Sequence, residues 1–175
     1  MKKLLFTYLF LLSVSLFAQK PLEFNSIVKV EGVTKNDIYV QVNDWLATTF
    51  NSANDVIQMA DKDAGKFIAK GQVNYSIGKM MYNCTDGALR FTIKVSVRDN
   101  KFRFILTQIS HKSYGNSNCE FGTVTDAELF QIKGGGKKWR NKVWVDIKSK
   151  ANDLHKNLLS SITDKVNKFN KDEDW

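Results

Sequence analysis

The stretch from Ala88 to Ser113 leaves this chain the least freedom. Its apolar residues alternate with polar and charged ones on both sides of Asp99-Asn100, a dipeptide suited to a tight reversal. Setting Arg98 opposite Lys101 places Val97 against Phe102, Val95 against Phe104 and Ile93 against Leu106. In that register both apolar sets share one face, and a one-residue slip would turn one set to water. The other face carries Arg90, Lys94 and Arg98 from the first strand and Lys101, Arg103 and Ile105 from the second. Beyond Leu106 the alternation slips, because Gln108 falls where an apolar residue is due and Ile109 follows it. A bulge near Thr107 to Gln108 is expected there. A half-apolar hairpin of this length needs neighbouring strands and a covering layer, so the remaining segments are read for those.

Phe24 to Val30 reads as a short strand, and Thr34, with Asp37 three residues on, marks the start of a helix. Ile38, Val42, Trp45, Leu46, Thr49 and Phe50 recur at helical spacing, so one stripe faces a core until Asn51-Ser52-Ala53-Asn54 ends the helix. Asp55 to Ala60 and Lys66 to Ile77 form a second hairpin around Asp61 to Gly65. Its second strand buries Phe67, Ala69, Gly71, Val73, Tyr75 and Ile77 and leaves Lys70, Gln72, Asn74 and Ser76 in solvent. Tyr114 to Gly136 is irregular, with a short helical turn predicted where Thr125 and Glu128 are spaced as a capping box. Gly134-Gly135-Gly136 then forms a hinge into one long helix, Lys138 to Phe169.

The resulting expectation is an α+β fold: an antiparallel sheet of about five strands in the order β-α-β-β-β-β-α, with both helices on one face. The other face is open and displays Lys70, Gln72, Arg90, Thr92, Lys94, Arg98, Arg103 and Ile105. The last helix would span about 45 Å, against roughly 20 to 25 Å for the width of a five-stranded sheet. It either runs obliquely along the long hairpin or overhangs. Trp139, Val143, Ile147 and Leu154 are expected in the core. From Leu158 onward, through Ile162, Val166 and Phe169, the row is expected to seek cover from a second chain or from Trp45 and Phe50, which offers a surface for self-association.

The amino terminus carries a different signal. Lys2 and Lys3 precede an apolar run from Leu4 to Leu12, and Ala18 is a small residue just before Gln19. That is the form of a cleaved secretory signal peptide over residues 1–18; the run is too short for the roughly 20 apolar residues of a membrane span. A single domain over 19–170 follows, with 171–175 as a frayed tail. A chain of about 155 residues buries enough surface to stabilise one core without metals. Losing Lys2 and Lys3 takes the formal charge from +8 to +6, still basic. In the periplasm or outside the cell, an anionic envelope component or an acidic protein is the expected partner, and export disfavours nucleic acid.

Chemistry-bearing residues are sparse. Cys84 and Cys119 are the chain's two cysteines, and the hairpin register brings both out at one end. A disulfide closing that loop, worth at most about 4 kcal/mol, and two separate thiols both remain open. Asp61-x-Asp63-x-Gly65 has the opening of a calcium loop, but Gly65 and Gln72 stand where oxygen ligands are needed, so a plain turn is the better reading. His111 and His155 stand in no catalytic motif. Gly134 to Lys138 lacks phosphate-loop spacing. Lys137, Lys138, Arg140, Lys142, Lys148 and Lys150, with Trp139 and Trp144 among them, read either as a solvated helix face or as an anion-binding one. No metal, cofactor or catalytic residue is predicted. The expected function is a non-catalytic binding module using Lys70, Arg90, Lys94, Arg98 and Arg103, with an enzyme built on loop residues around 111–122 as the alternative.

Several stretches also resemble a known family: Ile27 to Val33, the helix from Tyr39 to Trp45-Leu46, the hairpin Asp61 to Gly71 with its spaced glycines, and the strand pair Phe91 to Ser110 with Arg103. They are similar to an exported bacterial domain family of unknown function with a fold like one half of the TATA-binding protein. The resemblance covers roughly Phe24 to Ser113. It implies a fold and carries over no catalytic residue, and a shared fold does not transfer DNA binding.

Overall fold

A computed structural model of the chain describes residues 19–50, 56–115, 117–130 and 136–172. The predicted signal peptide lies outside the described residues, as does the end of the predicted tail. The elements are β1 (Phe24–Lys29), α1 (Lys35–Thr49), β2 (Ile57–Asp61), β3 (Lys66–Tyr75), β4 (Gly87–Arg98), β5 (Lys101–Ser113), β6 (Gly122–Thr123) and α2 (Lys137–Asp172). Short 3-10 turns at Met80–Thr85 and Ser117–Cys119 flank the long hairpin.

The sheet is antiparallel, in the order β1-β5-β4-β3-β2, with β6 paired to β5. The long hairpin adopts the expected register, including Arg98 with Lys101 and Ile93 with Leu106. Asn100 takes the left-handed φ of 61° that so tight a turn demands. The expected bulge is present: the pairing shifts between Arg90 and Thr92, and Gln108 sits at φ 52°. β2 and β3 pair as the second hairpin.

Six strands form where about five were expected. The addition is β6, two residues long, whose Thr123 and Gly122 pair with Ser110 and His111 on the same edge of β5 that β1 occupies further along. So short a strand has no periodicity to read. The capping box at Thr125 and Glu128 starts no helix. Thr125 instead bridges to Pro21, and its hydroxyl donates to Gln19 Oε1, so the segment is spent tying down the start of the domain. Of the predicted hinge, Gly134 and Gly135 lie outside the described residues; Gly136, at φ 76°, accepts the Arg140 N–H and opens α2.

Both helices pack on one face of the sheet. Thr34 caps α1 by accepting the Asp37 N–H, and Asp99 Oδ1 accepts the Lys35 N–H, so the hairpin turn fixes where that helix begins. Ile38, Val42, Trp45 and Leu46 of α1 and Val143, Ile147 and Ala151 of α2 meet Phe91, Ile93, Val95, Phe104 and Leu106 in one core. The expectation for the distal half of α2 is corrected. Ile162 and Val166 are fully buried and Leu158 nearly so, because α1 lies alongside. Trp45 Nε1–H donates to Ser161, and Lys165 pairs with Asp44. The row through Leu158, Ile162 and Val166 is therefore interior, with cover from the first helix, and Phe169 at its end is half-buried. Trp139 and Leu154, expected in the core, are half-buried at its margin.

Candidate functional site

The strands that bury alternate residues under the helices turn the others to the opposite side. Register fixes the layout of that open face. Ile27 stands beside Arg103, Arg103 beside Ser96, and Ser96 beside Lys66. The next row holds Asn25, Ile105, Lys94, Ile68 and Met59, and the row beyond it Lys70 with Thr92. Lys29, Lys101 and Arg98 close one end, and Gln72 with Arg90 lies toward the other. Lys70, Arg90, Lys94, Arg98 and Arg103 are all exposed on it, together on one surface.

Lys29 and Lys66 join them at strand ends, where too few alternating positions remain to assign a face from sequence. Thr92 was expected in solvent and is 4% exposed. The bulge lays Gln108 over it, and the Thr92 hydroxyl donates to Gln108 Oε1 at 2.8 Å. On β1, β3, β4 and β5 this face carries no carboxylate. Lys165 and Asp44 form an ion pair in the helical layer, away from this face.

Two depressions mark the face. One, of about 420 Å³, is lined by Lys70, Gln72, Arg90, Thr92 and Gln108, with Val56 at its rim. Gly71 and Phe91 also line it, and on the core side of the strand a Cβ at Gly71 would come within 2.6 Å of the Phe91 ring. The other, of about 340 Å³, lies at the turn end between Ile27, Ala64, Lys66, Ser96, Arg98, Lys101 and Arg103.

The remaining candidates are absorbed by structure. Cys84 and Cys119 form a disulfide, their Cα atoms 5.8 Å apart, which settles the two open readings and ties one 3-10 turn to the other. Beneath it His111 is buried. Its Nε2–H donates to the Thr85 carbonyl at 2.9 Å, and its Nδ1 accepts the Phe121 N–H at 3.3 Å. Both nitrogens are occupied in the neutral tautomer, and burial pushes its pKa below the ordinary value. Tyr75 packs edge-on against His111 and donates to Asp146 Oδ2; burial and that carboxylate push its phenol far up. His155 stacks on Phe24 at 5.0 Å with Nε2 3.2 Å from the Ser26 hydroxyl, and burial lowers its pKa also.

The basic start of α2 is largely engaged. Arg140 donates to the Asn118 carbonyl and lies over Phe121, Phe130 and Trp139. Trp144, fully buried, and Lys148 both donate to the Ala127 carbonyl, so this stretch fastens the irregular connection to the helix. Asp61 Oδ1 accepts the Ala64 N–H, and the Asp63 carbonyl accepts from Lys35, which makes the Asp-rich loop a turn. Among the described residues no group of three or more His, Cys, Asp or Glu is placed to hold a metal. None of the helices searched among them is long and apolar enough to cross a membrane.

A family model described as a domain of unknown function with TBP-like fold, DUF4468, matches residues 24–112. The chain belongs to this family. The matched span begins with β1 and ends one residue short of the end of β5, so it contains the strands that bear the cationic face. Among solved structures, a TBP-like protein from Parabacteroides distasonis superposes with a TM-score of 0.62 at 11% identity, over 83% of this chain and 92% of its own. A DUF4468 family protein from Bacteroides ovatus gives a TM-score of 0.52 at 14% identity, over 81% and 86%. At such identities the likeness concerns the fold alone. No curated protein matches the chain.

Proposed function

We propose that this DUF4468 protein is a non-catalytic binding module of the periplasm or cell envelope, which offers its open sheet face to an anionic partner. The observation that carries the reading is the row on row of exposed cations on that face, without a carboxylate on its four cation-bearing strands to neutralise them. Like charges gathered on a rigid sheet repel, and an anion lying across them relieves the repulsion as it binds. The compartment is read from Lys2, Lys3 and the apolar run to Ala18, and the Cys84–Cys119 bridge suits an oxidising one. The alternative, an enzyme using residues around 111–122, has less support because His111 has no free nitrogen with which to move a proton.

Retention on an immobilised sulfated polysaccharide tests the reading. Arg90→Glu with Lys94→Glu should elute at markedly lower salt than the unaltered chain, because both cations lie on the face. Lys156→Glu, an exposed change on α2 away from the sheet, should elute unchanged. Equal loss in the two variants, or no retention of the unaltered chain, would refute it.

A further inference from the structure

The smaller depression on the open face differs in kind from the rest of that surface. Its walls come from three directions: Ile27 of β1, Ala64 of the β2–β3 turn, and Arg98 and Lys101 where β4 turns into β5. Its floor is the row in which Lys66 stands beside Ser96 and Ser96 beside Arg103. Arg98 and Lys101, paired opposite each other, lie two residues further along, about 7 Å away by strand geometry. Two guanidinium groups and two ammonium groups thus ring one serine hydroxyl in about 340 Å³. Of the nearby acids, Asp99 caps α1 at Lys35, and Asp61, across the strand pair from Lys66, has one carboxylate oxygen engaged by the Ala64 N–H, so the four cations outnumber the acid beside them.

We propose that this pocket binds a phosphate group bearing at least two negative charges, a phosphomonoester or a diphosphate. The inference rests on the open-face reading above and names the site and the charge group within it. Four cations exceed what one carboxylate neutralises, whereas a phosphate presents several oxygens at once. Planar arginine forks match pairs of those oxygens, lysines meet them as point charges, and the Ser96 hydroxyl supplies a further donor. Ile27, 59% exposed at the rim, gives the less polar body of the ligand a surface to lie on.

Calorimetry with inorganic pyrophosphate, accompanied by amide chemical shifts, tests the site. The expected result is one bound pyrophosphate, shifts concentrated at residues 64–66, 96–98 and 101–103, and affinity lowered about tenfold or more by Lys66→Gln with Arg103→Gln. Lys70→Gln with Arg90→Gln, in the other depression, should change it by less than about threefold. Vesicles of phosphatidylcholine containing phosphatidic acid separate the sources. Binding to them that pyrophosphate displaces assigns the phosphate to a lipid headgroup, and pyrophosphate binding without vesicle binding assigns it to a soluble ligand; both support the site. Equal weakening by the two double variants overturns the pocket and leaves the wider face standing. Failure of both pyrophosphate and vesicles to bind also overturns it, and retention on the polysaccharide then decides the open-face reading separately.

Discussion

Reducing the Cys84–Cys119 bridge should lower stability by about 4 kcal/mol and leave the fold intact. The two cysteines are 35 residues apart. Closing a loop of that length removes about 13 cal/mol/K of entropy from the unfolded chain, which is about 3.8 kcal/mol at 25 °C. The native geometry does not depend on the bridge alone. His111 holds the same two segments, taking Thr85 on one nitrogen and Phe121 on the other, and Ser113 donates to the Cys84 carbonyl. A domain of this size has a stability of about 5 to 15 kcal/mol, so most of the range survives the loss. The assay is urea unfolding of the oxidised chain and of the Cys84→Ser, Cys119→Ser variant, followed by tryptophan fluorescence and near-ultraviolet circular dichroism. The midpoint should fall while the native spectrum stays. An unchanged midpoint would refute the entropy argument, and loss of the native spectrum before any denaturant is added would refute the claim that His111 suffices.

Ile162→Ala should cost about 2 to 5 kcal/mol, because the side chain is fully buried between α2 and its neighbours; thermal unfolding measures it, and a loss under 0.5 would restore the projecting helix. Burial holds both His111 and His155 below their ordinary 6.5, so the unfolded chain takes up protons first as pH falls. Their contribution to stability should be complete above about pH 6.5 and decline as pH drops through 6.5 toward the folded values. Denaturation midpoints from pH 8 to pH 5, with ring-proton titration by NMR, check this; midpoints that rise toward pH 5 would contradict it.

The open face was legible because a period of two leaves little choice. Once Val97 and Phe102 are committed to the core, Arg98, Lys101 and Arg103 have nowhere to point but solvent. The pocket within that face was not legible. Its walls join Ile27, Ala64 and Lys66 to Arg98 and Arg103, residues whose proximity depends on β3 pairing with β4 and on β1 pairing with β5 across a long stretch of intervening chain. Nothing local to β1 says which strand it will join. Histidine roles were hidden for the same reason, since the partners of His111 are backbone groups of two turns with no pattern of their own.

Local periodicity and turn chemistry by themselves determined the two hairpins, their register, the Thr34 cap, the bulge at Gln108 and the sign of the open face. Each of these depends on neighbours a few residues apart or directly across a tight turn, where geometry is fixed by the backbone. Only the tertiary structure decided that α1 covers the distal half of α2, that Gly122 and Thr123 complete the sheet, that Cys84 meets Cys119, and that four cations close around Ser96. Most of these are contacts between segments far apart in sequence, and the nearest of them, Gly122 and Thr123 with β5, spans an irregular connection with no pattern to read. Their formation depends on which faces remain uncovered after the local elements have formed, and that is a property of the assembled layers rather than of any segment.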